Sequence, residues 1–195
     1  MGITYQNKPL PEPYMVMIQN FNFRKFLEYA NEDINCELIN GVLIIHSPAS
    51  LDHELIFKLL LNLLDLYLQK NGIPGLALGS RFTMRLSSKW APEPDVMFID
   101  HKQEKNLHET YLDGPASVVF EILSPSTRNI DLEKKLPKYL KSGVKEIWII
   151  DPEDKSVRTF FEGDKHTFLN QNDWISSSYV KGFRVKSQWL WNARN

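Results

Sequence analysis

Two acidic residues stand within or directly beside apolar segments, where carboxylates are unusual. Glu121 lies inside the run VVFEIL, and Asp95 follows Pro94 immediately before the run VMFI. A buried ionised carboxylate is costly unless it is paired or binds a metal. Because hard oxygen ligands suit Mg²⁺ or Mn²⁺, the two acids could share one divalent cation. Structural roles stay open: ion pairing or solvent contact for Glu121, and turn chemistry beside proline for Asp95.

A lysine-rich segment follows the acid in the strand directly. The pattern DLEKKLPKYLKSG predicts a helix over about 129–142, in which Asp131, Lys135 and Tyr139 share one face. If this helix folds back over the sheet, the Lys135 amine reaches the acids. Pro137 interrupts the pattern, so we expect the helix to begin late or to bend there. The alternative is a solvated surface helix, which is the usual role of a charge run.

Local patterns predict the elements that position these residues. The predicted helices cover 22–33, 50–71 and 129–142, and the predicted strands cover 76–86, 94–100, 116–123, 144–151 and 183–190. An Asn-Gly turn predicts a hairpin over 36–45, and a Gly-Asp turn predicts another over 156–169. Residues 1–18 look like an irregular lead-in. The strand–helix–strand pattern over 116–151 predicts a parallel crossover. We therefore expect a mixed α/β (α+β) fold, with a central mixed sheet flanked by helices, in one domain spanning 1–195.

Composition limits the class of protein. The chain has 195 residues and a net charge of −1, which argues against a uniformly basic nucleic-acid binder but allows a locally basic groove. Its one cysteine, Cys36, excludes an internal disulfide and fits a reducing compartment. The N-terminal segment lacks the apolar core of a signal peptide, and charged residues interrupt the longest apolar stretch. We expect a cytoplasmic protein that does not associate with membranes.

Other familiar chemistries find no support in the sequence. The five histidines and the cysteine do not have the spacing of a zinc site. The SPST segment lacks the flanking glycines of a nucleophile elbow, and no glycine-rich phosphate loop is present. The sequence therefore indicates no zinc site, nucleophile elbow or glycine-rich phosphate loop.

Three segments together resemble a known family. ELINGVLI, PEPDVMFID and VVFEILSPSTRNIDLEKKLPKYLKSGVKEIWIIDP, with the spacing between them, are similar to the Uma family of restriction endonuclease-like proteins, which belongs to the PD-(D/E)xK nuclease superfamily. The resemblance covers roughly residues 20–190. It implies a restriction-endonuclease-like fold and Mg²⁺- or Mn²⁺-dependent cleavage of phosphodiester bonds, with DNA as the expected substrate.

The resemblance also implies site residues. Asp95 matches the aspartate of the PD element, and Glu121 matches the acid of the (D/E)xK element. The usual lysine is replaced by Leu123, and Lys135 on the following helix matches the substitute found in the Uma branch. Glu37 matches the early acid of the superfamily core, which implies contact with a metal-bound water or a second metal.

Further candidates complete the predicted site. The Ile122 carbonyl is a candidate third metal ligand beside the two acids. His53 matches a recurrent position of the branch, with simple packing at a helix start as the alternative, and Tyr139 is a candidate accessory residue. Candidates for phosphate contact are the basic residues Arg81, Arg85, Lys134 and Lys138.

Three functions compete at this point. The first is a metal-dependent DNA endonuclease. The second is a nuclease-derived module that binds nucleic acid or a protein partner without cutting, which the near-neutral charge and the leucine at position 123 keep open. The third is a purely structural role for the charged residues. Both a monomer and a homodimer remain open for the assembly.

Overall fold

The computed structural model describes residues 4–5, 8–9, 12–30, 34–79, 81–161, 165–169 and 173–193. The strands in chain order are β1 (Thr4–Tyr5), β2 (Lys8–Pro9), β3 (Met15–Ile18), β4 (Cys36–Ile39), β5 (Val42–His46), β6 (Gly75–Gly79), β7 (Thr83–Arg85), β8 (Val96–Asp100), β9 (Tyr111–Asp113), β10 (Val118–Ile122), β11 (Glu146–Asp151), β12 (Ser156–Phe161), β13 (Lys165–Leu169), β14 (Trp174–Ser176) and β15 (Arg184–Lys186). The helices are α1 (Phe23–Tyr29), α2 (Leu51–Asn71), α3 (Arg128–Ile130), α4 (Leu136–Ser142) and α5 (Ser187–Trp191), with a 3-10 helix at His101–Asn106. A π-helical turn, Asp131–Lys135, joins α3 to α4 without a break, and the continuous segment 128–142 is called the site helix below.

A six-stranded mixed sheet forms the centre of the molecule. Its strand order is β13-β12-β11-β10-β8-β6. Strands β10 and β11 are parallel and are connected through the site helix, whereas the other neighbouring strands are antiparallel. The predicted mixed fold, with a central sheet flanked by helices, is therefore confirmed.

The two faces of strand β10 pack against different helices. Val118, Phe120 and Ile122 belong to the apolar cluster that includes α2. Val119 and Leu123 belong to the opposite cluster, which includes side chains of the site helix. Because side chains alternate along a strand, Glu121 lies on the same face as these two residues, beneath the site helix.

Helix α2 has clear end signals. The Ser50 side chain accepts a hydrogen bond from the backbone N–H of His53, which caps the N-terminus. Gly72 closes the C-terminus in a left-handed conformation with φ of 59°. The buried positions recur every four residues and pack on the central sheet: Ile56, Leu60, Leu64 and Leu68. Within the described residues, no helix combines the length and apolar character needed to cross a membrane.

A small three-stranded sheet, β3-β5-β4, stands beside the central sheet. Asn40 and Gly41 have φ values of 52° and 80°, as a type I′ turn requires, so the predicted hairpin is confirmed. The turn pairs Ile39 with Val42 and Glu37 with Ile44.

The expectation of an irregular lead-in over 1–18 is wrong in part. Strand β3 pairs with β5 from Met15 to Ile18, and Val16 packs against the buried cluster around α1. The pairing stabilises a segment whose short, proline-flanked sequence gave no strand signal. Residues 1–3, 6–7 and 10–11 lie outside the described residues.

Two predicted strands have different extents. The stretch 76–86 forms β6 of the central sheet and β7, which pairs with β9 instead. Arg81 lies between them with φ of 71°, a left-handed conformation that breaks the extended chain. The predicted strand over 183–190 ends at Lys186, where α5 begins.

Helix predictions differ at their ends. The helix predicted over 22–33 ends at Tyr29, and residues 31–33 lie outside the described residues, as does the predicted turn at 163–164. Pro137 neither delays the start of the site helix nor breaks it. The helix begins at Arg128, and the π turn directly precedes the proline.

Candidate active site

Antiparallel pairing brings the two acids of the apolar strands together. Phe120 of β10 pairs with Val96 of β8, and continuing this register by one residue places Glu121 opposite Asp95. Directly opposite residues of an antiparallel pair have Cβ atoms about 5 Å apart. The backbone N–H of Ile122 donates a hydrogen bond to Asp95 Oδ2 at 2.7 Å, which fixes the carboxylate at this strand end.

His53 completes the surroundings of Asp95. Its Nε2 lies 3.2 Å from Asp95 Oδ1, and the side chain of Asp95 is 22% exposed. Burial alone would lower the pKa of His53, but the hydrogen bond and charge of Asp95 raise it. The Ser50 cap holds the backbone of His53 at the start of α2, so the helix directs this ring toward the acid.

Lys135 occupies the centre of a buried ionic cluster. Its Nζ lies 3.0 Å from Glu37 Oε2, 3.0 Å from Asp131 Oδ1 and 3.4 Å from Glu121 Oε1. Only 6% of the side chain is exposed. Burial by itself would lower the pKa of Lys135, but the three carboxylates raise it well above its ordinary value. The amine is therefore held as a cation.

Tyr139 fixes one oxygen of Glu121. Its hydroxyl donates to Glu121 Oε1 at 2.6 Å. Burial and the neighbouring Glu121 raise the pKa of Tyr139 well above its usual value, so the phenol keeps its proton. The Lys135 contact also uses Oε1, and neither contact involves Oε2.

Glu37 of the small sheet and Glu93, which precedes β8, form a second group of acids. Glu37 Oε1 lies 3.0 Å from His46 Nε2, and its Oε2 accepts weakly from the backbone N–H of Glu93 at 3.4 Å. Burial would raise the pKa of Glu37, but Lys135 and the His46 hydrogen bond lower it to about 2. Burial, together with the charge of Glu37, raises the pKa of Glu93 to about 7, although Thr83 donates a hydrogen bond to it.

The cluster holds more carboxylates than positive charges. Burial raises the pKa of Glu121 well above its ordinary value, and Asp131 and Asp95 add to the rise while Lys135 opposes it. The pKa of Asp131 is also raised, first by burial. This shortage of positive charge is the condition that a bound cation would relieve.

These residues line one open cavity of about 740 Å³. Its walls include the predicted site residues Glu37, His53, Asp95, Glu121, Ile122 and Lys135. Arg81 also lines it, whereas the other phosphate-contact candidates are not among the lining residues. Arg85 instead forms an ion pair with Asp113 at 2.9 Å and lies over the Phe23 ring.

The two remaining candidates lie elsewhere on the site helix. Lys138 places its Nζ 5.5 Å from the centre of the Trp90 ring, which is a cation–π contact. Lys134 is exposed to solvent. The structure therefore brings Arg81 to the cavity, while contact by Arg85, Lys134 and Lys138 with phosphate stays a prediction without support from the geometry.

His46 and Glu93 belong to the cluster but were missed from the sequence. A signal for His46 was available, because the Asn-Gly turn fixes the register and places His46 on the same face as Glu37, two residue pairs further along. Glu93 stands two residues before Asp95 in the same PEPD segment. Nothing in its type distinguished it from an ordinary loop acid.

The chemistry of the donor atoms indicates whether the site suits a divalent metal ion. Among the described residues, no group of three His, Cys, Asp or Glu side chains has the arrangement that would hold a metal by itself. Mg²⁺ is usually held by one or two carboxylates, with waters and substrate oxygens completing its shell. Asp95 and Glu121, with the Ile122 carbonyl, fit that smaller set of hard oxygen donors.

Comparisons with known proteins show the family and the fold of this chain. Residues 23–188 match the Uma2 family, whose description is "Putative restriction endonuclease". A solved structure, the crystal structure of a putative nuclease belonging to DUF820 from Anabaena variabilis ATCC 29413, is similar with a TM-score of 0.77 and 16% sequence identity. The similarity covers 89% of this chain and 98% of that one, and at this identity it shows the fold. No curated protein sequence matches the chain. Because the family match covers most of the sequence, the resemblance seen in its motifs is confirmed, and the chain belongs to the Uma2 family of restriction endonuclease-like proteins.

Proposed function

We propose that the chain is a metal-dependent endonuclease that hydrolyses phosphodiester bonds of DNA. The single observation that carries the proposal is the meeting of Asp95, Glu121 and the Lys135 amine at one end of the central sheet. Two carboxylates with an adjacent ammonium group are the parts that metal-assisted phosphodiester hydrolysis needs. The description of the Uma2 family supports a nuclease and, through restriction endonucleases, DNA as the substrate.

Asp95, Glu121 and the Ile122 carbonyl would hold Mg²⁺ or Mn²⁺. When bound, such an ion lowers the pKa of a water molecule and offsets negative charge on the reacting phosphate. Each carboxylate oxygen has two lone pairs, so the contacts that Asp95 makes with His53 and the Ile122 N–H leave it able to bind a cation.

Neighbouring side-chain and backbone groups orient the two carboxylates, and Lys135 supplies an ammonium group. His53 and the Ile122 N–H hold the two oxygens of Asp95, and Tyr139 holds Oε1 of Glu121. Lys135 keeps its proton and would donate a hydrogen bond to a phosphate oxygen or to the attacking water. To do so it exchanges one of its carboxylate contacts for the substrate.

The test is nicking of supercoiled plasmid DNA with Mg²⁺, with Mn²⁺ and with EDTA. We expect metal-dependent nicking that falls at least about 100-fold in Asp95→Ala, Glu121→Ala and Lys135→Ala, since each removes a group that acts on the reacting phosphate. Glu133→Ala and Lys141→Ala remove exposed charges of the site helix and are the matched controls. Circular dichroism of each variant is the check that it remains folded.

Three outcomes would contradict the proposal. Retained cleavage by folded Glu121→Ala would remove the central acid from the mechanism. Cleavage of an RNA transcript with no cleavage of the plasmid would contradict DNA as the substrate. Retention of DNA without metal-dependent cleavage would favour the non-catalytic module, and a steep loss of that binding with salt would identify phosphate contact.

A further inference from the structure

The site helix changes its hydrogen-bond register in the middle. The Leu136 N–H donates to the carbonyl of Asp131, five residues earlier, where an α-helix would use the residue four earlier. Pro137 follows immediately. Proline has no N–H to donate, and in an unbroken α-helix its ring clashes with the carbonyl four residues before it, which here belongs to Glu133. The wider π turn lies where that clash would occur.

The register change alters the direction of the side chains that follow it. In an α-helix each residue turns about 100°, so Lys135 and Tyr139, at spacings of four and eight, would lie about 40° and 80° from Asp131 around the helix axis. A π turn takes up one additional residue. Lys135 and Tyr139 then take the directions of positions i+3 and i+7, about 60° and 20° from Asp131 on its other side, so each is turned by about 100° relative to the start of the helix.

The observed burial and contacts agree with these directions. As whole residues, Asp131, Lys135 and Tyr139 are 3%, 5% and 0% exposed, whereas Pro137 and Lys134 are exposed. Lys135 contacts Asp131, and both Lys135 and Tyr139 reach the same oxygen of Glu121. The additional residue of the π turn is thus accommodated on the solvent side, away from the cavity.

We propose that Pro137 is a positioning residue, which maintains the π turn and thereby directs Lys135 and Tyr139 to the acidic cluster. Pro137 is not among the residues that line the cavity, and it acts through the direction of the Lys135 side chain. Its consequence for cleavage rests on the proposed function. The placement of the amine does not, and it can be measured without any nuclease activity.

The experiment replaces Pro137 by alanine, which supplies an N–H and allows an unbroken α-helix. Accessibility of Lys135 is measured by acetylation with an N-hydroxysuccinimide ester followed by mass spectrometry, with exposed Lys134 as the internal reference. We expect Lys135 to be protected in the parent and to be acetylated at the rate of Lys134 in Pro137→Ala. Plasmid nicking should fall about 100-fold, because small displacements of catalytic groups have effects of that size. Pro74→Ala, an exposed proline outside the site helix, is the matched control and should change neither measurement.

A second variant distinguishes a change in helix register from a general disturbance of the site helix by the Pro137→Ala substitution. Deleting exposed Lys134 in the Pro137→Ala background converts the spacings of four and eight into three and seven, so a plain α-helix would again give Lys135 and Tyr139 the directions that they have in the parent. Because Lys134 is absent from this variant, the acetylation of Lys135 is compared with that of exposed Lys141. We expect protection and nicking to return towards the parent values. If Pro137→Ala alone does not fold, folding and protection in the deletion variant support the proposal equally.

Two results would overturn the proposed role of Pro137. One is a folded Pro137→Ala protein in which Lys135 remains as protected as in the parent. The other is failure of the deletion variant to restore protection. If the parent protein shows no nicking but the labelling follows the expected pattern, the proposed function fails while the role of Pro137 stands.

Discussion

Replacement of Lys135 by methionine gives the sharpest test of the buried ionic cluster. The amine lies within 3.4 Å of three carboxylates, those of Glu37, Asp131 and Glu121. Methionine has a similar length and fills the same space without the charge. The substitution therefore leaves three buried acids that no longer have their common cation.

The expected loss of stability is large for one substitution. Removing one partner of a buried ion pair typically costs about 3–5 kcal/mol, because the remaining charge is left uncompensated. The pKa of Glu37 gives an independent figure. Its lowering from 4.5 to about 2 corresponds to about 3 kcal/mol of stabilisation, which Lys135 shares with His46. We therefore expect Lys135→Met to lower the free energy of unfolding by about 3–5 kcal/mol at pH 7.5.

The loss should become smaller in mild acid. In the parent, Glu37 has a lowered pKa, so its contribution is complete above pH 4.5 and disappears only as the pH falls towards 2. In the variant, burial without the amine raises this pKa above the unfolded value. The native variant then binds a proton that the unfolded chain does not, so acidification stabilises it. Between pH 7.5 and 5.5, the difference in the free energy of unfolding between the variant and the parent should therefore decrease by up to about 1.4 kcal/mol per pH unit.

Urea unfolding followed by circular dichroism at pH 7.5 and 5.5, in buffer containing EDTA, measures both effects. Lys141→Met replaces an exposed lysine of the same helix and is the control, with an expected change within about 0.5 kcal/mol at both pH values. A destabilisation by Lys135→Met below about 1 kcal/mol would refute the stabilising role of the buried ionic cluster. The same conclusion would follow if the difference in the free energy of unfolding between Lys135→Met and the parent did not vary with pH.

The start of α2 gives two further predictions with opposite signatures. His53→Gln should weaken Mn²⁺ binding measured by calorimetry about 10–100-fold, because the imidazole holds Asp95 Oδ1, and unchanged affinity would exclude that role. Ser50→Ala removes the cap that accepts from the backbone N–H of His53, and should cost about 1 kcal/mol in urea unfolding with little change in Mn²⁺ affinity. An unchanged urea midpoint would show that this cap does not stabilise the helix.

Much of the fold could be predicted because its strongest signals are local. The Asn-Gly turn determines both the hairpin and its register, since two consecutive positive φ values are required there. Because side chains alternate along a strand, the sequence around Glu121 also determines which residues face each side of the sheet. The charged segment after it could only return over the sheet, which gives the parallel crossover that the structure contains.

The errors arose where tertiary contacts override a local pattern. The alternation of apolar residues continues through 76–86, and nothing in the sequence marks Arg81 as the residue with positive φ that divides β6 from β7. Helix α5 has only five residues, which is too short for helical periodicity to be recognised. Strand β3 is defined by its partner β5 and not by its own composition.

The candidate site was predictable where a residue type conflicts with its surroundings. An acid within an apolar strand demanded an explanation, and so did lysines placed immediately after it. Glu93 created no such conflict, because an acid between two prolines is ordinary in a loop. The π turn could not be anticipated either, since proline in a helix pattern usually indicates a boundary or a kink.

The position of the lysine explains why the helix needs such precise registration. A lysine at 123 would be placed by the same strand that carries Glu121, but Leu123 is buried in the apolar cluster beneath the site helix. The amine therefore comes from a separate element, and its position depends on how that element is anchored and how it turns. Arg128 anchors the helix start to Asp151 at the end of β11 through a 2.6 Å ion pair. The π turn then determines the direction of Lys135, so moving the amine from strand to helix makes the register of the helix part of the site.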